Sequence, residues 1–267
     1  MRRNLVLTLA FGAVLAVVLV AVAAAKFTEF RAGNLVLKAD GGVTPKALPK
    51  NKFVPVAVHV AGQISAADGG HPAAVREVTI DFDKNGTINT KGLATCTEGK
   101  LQARPTNEAK KACSNAIVGS GRAVAEVHFP EQNPFQAEGP IVVFNGGTNG
   151  GKTTLYIHLY AAVPAPTAIV TRVELTKIHK GRYGIHSVSK IPKVAGGSGS
   201  TISFKLKVQR TYQFKGKTQS YVSAKCPDGH FNANILGAKF IDEDGIEPNT
   251  GTTTLKGTVI RPCTPKG

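Results

Sequence analysis

Tryptophan is absent from this 267-residue chain and tyrosine occurs only five times. Stacking platforms are therefore scarce, which disfavours sequence-independent binding of single-stranded nucleic acid and carbohydrate recognition by aromatic surfaces. Carboxylates are also scarce: 17 acidic side chains stand against 33 basic ones, a formal charge of +16. The four cysteines contain no CxxC pair, the close spacing a zinc site normally needs. Neither GxSxG nor HExxH occurs, so no local catalytic motif is present. His59, His71, His128, His158, His179, His186 and His230 are scattered singly, with His128 and His158 the pair placed to meet across neighbouring strands. With 42% hydrophobic and 19% charged residues, the chain belongs with folded globular domains and not with disordered ones.

One long apolar run is present. Arg2 and Arg3 precede an uncharged stretch from Leu5 to Ala25, and Lys26 follows it. This is the pattern of an export segment. Small residues at Ala23 and Ala25 suit removal after Ala25, while 21 apolar residues are also enough to span a bilayer, so residues 1–25 are a signal peptide or an N-terminal membrane anchor. In either case the rest of the chain is expected to be secreted or to lie on the extracellular face of the cell envelope, with any membrane attachment through this segment alone.

Residues 146–153 spell the phosphate-loop pattern GxxxxGK[ST]. That loop works only when a strand delivers it to the first turn of a helix, whose free N–H groups hold the phosphates. Here Leu155, Ile157 and Leu159 alternate with period two after Lys152, and Ile141 to Phe144 form a β-rich run before the glycines. The unit reads as strand, glycine loop, strand, so no nucleotide is expected. A second pattern, "DFDKNGTINTKG", places Asp81, Asp83, Asn85 and Gly86 as in a calcium loop, but Gly92 stands where a bidentate glutamate is required. Asn85 and Gly86 are the dipeptide of two-residue hairpin turns, so a tight β-turn is the simpler reading. The similar "IDEDG" at 241–245 is read the same way.

Eleven candidate strands lie between residues 53 and 261, separated by Gly, Pro, Asn and Asp. The expected fold is all-β, an antiparallel β-sandwich, with a jelly-roll arrangement open. Residues 26–52 are an extended linker or first strand, and 53–267 a single domain. "AGGSGS" at 195–200 is read as a surface loop rather than a domain boundary. One short helix is expected near 106–117, with Thr106 as cap and Ala109, Ala112 and Cys113 at helical spacing. Outside the cytoplasm thiols are commonly oxidised. Of the three possible connectivities, Cys96 with Cys113 and Cys226 with Cys263 closes the shorter loops, each contributing about 3 to 4 kcal/mol in the chain-entropy model.

The segments "VTIDFDKNGTINTKGLATC", "AKKAC", "AIVGSGRA", "VPAPT", "SKIPKVAGGSGS", "SAKCPDGH" and "RPC" together resemble an uncharacterised family of exported β-rich proteins from high-GC Gram-positive bacteria. The resemblance covers nearly the whole mature chain, and the cysteine spacing is its most specific part. It implies an exported β-rich domain and brings no catalytic or binding residue with it.

Charge supplies the remaining functional signal. Without Arg2 and Arg3 the 33 basic side chains become 31 against 17 acidic ones, a formal +14. Such a field attracts anionic polymers or anionic lipid head groups. Lys205, Lys207, Arg210, Lys215 and Lys217 fall in one strand-and-turn region and are the candidate anion-binding face, although lysines on a sheet also serve simply to block edge-to-edge aggregation. The expectation is a cofactor-free binding or structural module of the envelope, with an extracellular hydrolase built from distant residues as the alternative. If 146–153 is a hairpin loop, ATP leaves the thermal midpoint of the purified protein unchanged, and Lys152→Ala leaves folding intact. A midpoint that rises with ATP and loses that rise in the variant refutes the hairpin reading.

Overall fold

A computed structural model of the chain describes residues 27–163, 165–241 and 251–267. The export segment at 1–25 and the acidic residues 242–245 lie outside the described residues. Among the described residues no helix is long and apolar enough to cross a membrane.

The chain opens with β1 (Thr28–Ala32), β2 (Leu35–Thr44), β3 (Ala47–Pro49), β4 (Val54–Pro55), β5 (Ala57–Ala66), β6 (Ala74–Asp83) and β7 (Gly86–Ile88). After a short helix, α1 (Thr106–Ala112), come β8 (Ile117–Val127), β9 (Phe135–Asn149), β10 (Lys152–Ala161), β11 (Thr167–Lys180) and β12 (Tyr183–Lys190). The remaining strands are β13 (Gly199–Val208), β14 (Thr211–Phe214), β15 (Lys217–Ser220), β16 (Val222–Ala224), β17 (His230–Ile241), β18 (Thr252–Pro262) and β19 (Thr264–Lys266). Residues 28–44, read from sequence as linker or first strand, are two full strands of the main sheet.

Twelve strands make that sheet, in the order β1-β2-β5-β13-β8-β9-β10-β11-β12-β6-β17-β18, and every ladder in it is antiparallel. Its two edge strands pack against each other, so the sheet is nearly closed into a barrel. Side chains make the seam. Arg261 of β18 donates to Asp40 of β2 and Thr28 of β1, and Phe30 of β1 lies over Gly257, where a Cβ would stand 2.1 Å from the ring. Across the interior β13 and β6 also approach one another, flattening the barrel. One core cluster, with Val118, Val143, Leu155 and Val173, lies on the β8 to β11 side; a second, with Leu37, Ile64, Phe240 and Leu255, lies on the β2 and β18 side.

The all-β, antiparallel expectation therefore holds, and the two layers of the expected sandwich are opposed walls of a single curled sheet. Alternation in sequence reports which face of a strand is wet and says nothing about closure. Irregularities in the ladders at Thr154/Leu155, Thr201/Ser203 and Ile117/Gly119 are places where the strands can bend. The glycine stretch at 195–200 is a tight turn closed by a bridge between Val194 and Gly199, with Gly197 and Ser200 buried. It joins β12 and β13, two strands of the same sheet.

At the end of the barrel where β9 turns into β10, small sheets gather: β4-β16-β7, the parallel pair β19-β3 and the hairpin β14-β15. Cys226–Cys263 staples the chain terminus there, and Leu48, Leu93 and the fully buried Tyr221 join the barrel core beneath it. The second disulfide, Cys96–Cys113, belongs to a separate cap. In β9, Ile141 and Val143 face the barrel core while Val142 and Phe144 pack with Leu101, Ala109 and Ala116 of the α1 segment. Both faces of β9 are thus covered, which is why its sequence is a continuous apolar run. The helix begins one residue before the expected cap: Pro105 is the N-cap, Thr106 is the first helical residue, and Ala112 is exposed. A 3-10 turn at Ser114–Ala116 completes the predicted span.

His158 of β10 lies under this cap, fully buried, and its Nε2 bonds the carbonyl of Arg104 at 2.9 Å. Burial pushes its ionisation below the ordinary value of 6.5. The unfolded chain therefore takes up a proton at a higher pH than the folded one, and stability falls as pH drops below about 6.5, by up to about 1.4 kcal/mol per unit until the buried ring also titrates. Urea unfolding of wild type and His158→Gln between pH 7.5 and 5 should show this slope reduced in the variant whatever its absolute stability. Parallel curves would remove His158 from the account.

Candidate anion-binding cleft

The geometry of the mouth starts from Asp83, the last residue of β6, which is buried. A carboxylate taken out of water must be paired and hydrogen-bonded. One oxygen accepts from the Asn85 N–H at 3.0 Å; the other accepts from the Asn232 N–H at 3.0 Å and forms an ion pair with Nε of Arg182 at 2.8 Å. Arg182 sits in the turn between β11 and β12. Its two terminal nitrogens reach Asp228 at 2.6 and 3.3 Å, and one also donates to the His230 carbonyl at 2.7 Å. The bond to Arg182 holds the Asp228 carboxyl below its usual range. Lys84 adds a second tie, its N–H and Nζ donating to the carbonyls of Arg182 and Gly181.

The segment leaving Asp83 is fastened on its other sides as well. Tyr212 of β14 donates to the carbonyls of Asn89 and Lys91, Asn89 donates to Gln219 of β15, and Phe214 lies against Gly92. Thr90, Thr148 and Thr153 form a chain of hydroxyls with both contacts at 2.8 Å, joining the segment to the β9-β10 hairpin. Held this way, residues 84–91 face the β9-β10 turn and the β11-β12 hairpin across an open cleft of about 690 Å³. Lys84, Lys91 and Lys177 line it together with His179, and no Asp or Glu is among the described lining residues. Thr87, Thr176 and Asn89 add neutral hydrogen-bonding groups. A concave site bearing one sign of charge concentrates oppositely charged ligands.

The structure separates the sequence-derived basic face into two groups. Lys205 and Lys207 are exposed on the outer wall, on one face of β13. Beside them Arg122 is the Cα partner of Lys205 and is paired with Glu138 at 2.6 Å. His59 is the partner of Lys207, and burial, then the nearby Lys207, hold it below its ordinary pKa, so it favours the neutral form. Arg210 follows β13, half-buried, its carbonyl accepting from Tyr221. Lys215 and Lys217 flank the turn of the β14-β15 hairpin, which docks on the cleft segment through Tyr212 and Phe214.

Other motifs resolve as structure. Lys152 and Asn149 are Cα partners across a hairpin whose turn residues, Gly150 and Gly151, have φ of 55° and 78°. That backbone demands glycine and supplies no helix for a phosphate. Lys152 points to Glu174 at 3.6 Å. Asp81 contacts the His186 ring at 2.6 Å and Asp83 pairs with Arg182, so both carboxylates of the calcium-like motif are engaged by protein side chains, and no cluster of three metal-ligating side chains occurs among the described residues. The turn there, at Lys84 and Asn85, is not a hairpin: β7 leaves the barrel and pairs with β16. His128 lies against His71, the rings tilted and 5.4 Å apart between centroids, and does not meet His158, whose neighbours across its two ladders are Val142 and Val170. His71 in turn contacts Glu126 at 2.8 Å. All four cysteines are in disulfides, leaving no thiol nucleophile.

Sequence reasoning missed Lys84, Lys91, Lys177 and His179 as a group. They come from two segments about 90 residues apart, and no local spacing links them.

Removing the guanidinium at Arg182 leaves Asp83 buried without its cation, a change that costs about 3 to 5 kcal/mol. We expect Arg182→Met to lower unfolding stability by that order in denaturant titration, against less than about 1 kcal/mol for the exposed Arg31→Met. Equal small losses would show the network to be dispensable. Comparison of the chain with family models, with curated proteins and with solved structures yields no match, so function is argued from geometry alone.

Proposed function

We propose that the protein is an exported binding module for anionic polymers, acting in the extracellular space or at the cell envelope, and that the polymer is taken up at the mouth cleft. The observation that carries this reading is the composition of the cleft: three lysines line it, beside a histidine, with no carboxylate among the described lining residues to neutralise the lysines. The pair of disulfides suits an oxidising compartment. An extracellular hydrolase would be favoured by a pocket combining histidine, carboxylate and hydroxyl or thiol; the described residues of this cleft supply the first and a hydroxyl but no carboxylate.

Anionic head groups of a bilayer lie in a plane, and a recess between hairpins offers them less contact than it offers a flexible chain. The wall lysines present the opposite case, an exposed face beside the ion-paired Arg122. The two sites separate by substitutions of equal charge. We expect Lys91→Gln with Lys177→Gln to weaken polyphosphate binding about tenfold at 0.1 M salt, a Coulombic loss of about 1 kcal/mol per lysine reduced by screening. Lys205→Gln with Lys207→Gln should change it less than about threefold. Titration of both variants decides: equal losses reduce the effect to net charge, and a larger loss from the second pair moves the site to the wall.

A further inference from the structure

The exposed large apolar side chains among the described residues are Phe53, Val163 and Ile260. Single exposed apolar residues are ordinary on protein surfaces. Phe53 differs in position, because at 41% exposure it forms part of the wall of the cationic cleft. It immediately precedes β4, whose Val54 and Pro55 pair with Ala224 and Ser223 of β16. Continued by one step, that register puts Phe53 opposite Lys225. The Nζ of Lys225 indeed lies over the ring, 5.2 Å from its centroid. The backbone N–H of Lys225 donates to the carbonyl of Asn85, the residue after Lys84, so the backbone of a further lysine is tied to the same turn.

We propose that the ligand of the cleft is an acidic glycan, with Phe53 as the platform for one sugar ring; this rests on the reading of the cleft as an anion site. A ring face carries negative π density and attracts the partly positive C–H edges of a pyranose, while its area removes apolar surface from water. Lys225, whose Nζ lies over one face of this ring, serves the other half of such a ligand, and the sugar takes the rest of the exposed ring. The acid group of the sugar unit meets Lys225 and Lys84 while the C–H face meets Phe53. A bare phosphate chain has charge and no apolar face, and a neutral glycan has the face and no charge, so each satisfies only half of the site. The scarcity of aromatics in the chain sets the scale: the platform accommodates one ring and not a run of them.

The experiment measures affinity of the mature chain for polygalacturonate, phosphorylated dextran, polyphosphate and unmodified dextran. Wild type, Phe53→Ala, Phe53→Trp and the double variant Lys91→Gln, Lys177→Gln are compared, each checked for an unchanged thermal midpoint. We expect Phe53→Ala to weaken binding of at least one acidic glycan about tenfold and that of polyphosphate less than about twofold, Phe53→Trp to retain glycan affinity, and the lysine pair to weaken every anionic ligand. Whichever acidic glycan responds identifies the acid group as carboxylate or phosphate. Polyphosphate binding without glycan binding, or a Phe53→Ala loss that is absent or equal for both, overturns the glycan assignment and leaves the cleft intact as an anion site. Binding of no anionic ligand, or binding of unmodified dextran as tight as that of the acidic forms, overturns both.

Discussion

A buried carboxylate with one charged partner constrains this molecule more than any other interaction. Asp83 ends β6 inside the protein, where an unpaired charge would be costly, and its partners come from three places: the turn that follows it, the start of β17 and the tip of the β11-β12 hairpin. Arg182 then carries the tie on to Asp228, two residues from the Cys226–Cys263 staple. One ionic contact thereby fixes the exit direction of the chain from the barrel and the height of a hairpin that walls the cleft. Its value lies in position, since replacing such pairs by apolar packing is often neutral for stability.

The barrel explains why the cleft is at that end. A sheet that closes on itself has few free edges along its length, and here Phe30 over Gly257 and Arg261 with Asp40 seal the seam that the backbone leaves open. Irregularity is then concentrated where strands end. The small sheets fill one mouth with apolar residues such as Leu48, Leu93 and Tyr221, yet they do not extend to the tips of β9-β10 and β11-β12. What lies between those tips and the 84–91 segment is the recess. Its lysines stand on turns and strand ends, where charged side chains cost little to fold.

The strands were legible in the sequence because alternation and turn residues are local. "STISFKLKVQR" places Lys205 and Lys207 outward, and both are exposed on β13. The disulfides were legible through loop length, and the strand after the glycine turn at 150–151 was legible because Leu155, Ile157 and Leu159 keep strand period after Lys152. Closure was not legible, since neither the β1-β18 seam nor the approach of β13 to β6 leaves a local trace. The stretch "DFDKNGTINTKG" was legible as a turn and not as a calcium loop, but the turn lies at Lys84 and Asn85 and is not a hairpin. Its acids engage Arg182 and His186, and the lysines between and after them line the cleft.

That exchange of roles follows from burial. Asp81 and Asp83 lie on a central strand, so their charges must be neutralised by the protein itself and are lost to any ligand. Lys84 and Lys91 lie on the segment that leaves the sheet, and both are exposed, with Lys84 also donating to the Gly181 carbonyl. The same twelve residues thus spend their negative charges on architecture and present their positive charges to the outside. A chain with nearly twice as many basic as acidic side chains has cations to spare on every surface, so net charge alone selects no site. Under the proposed reading concavity does, because in a recess a ligand would meet several cations at once with less water competing for them, whereas the wall lysines stand in full solvent.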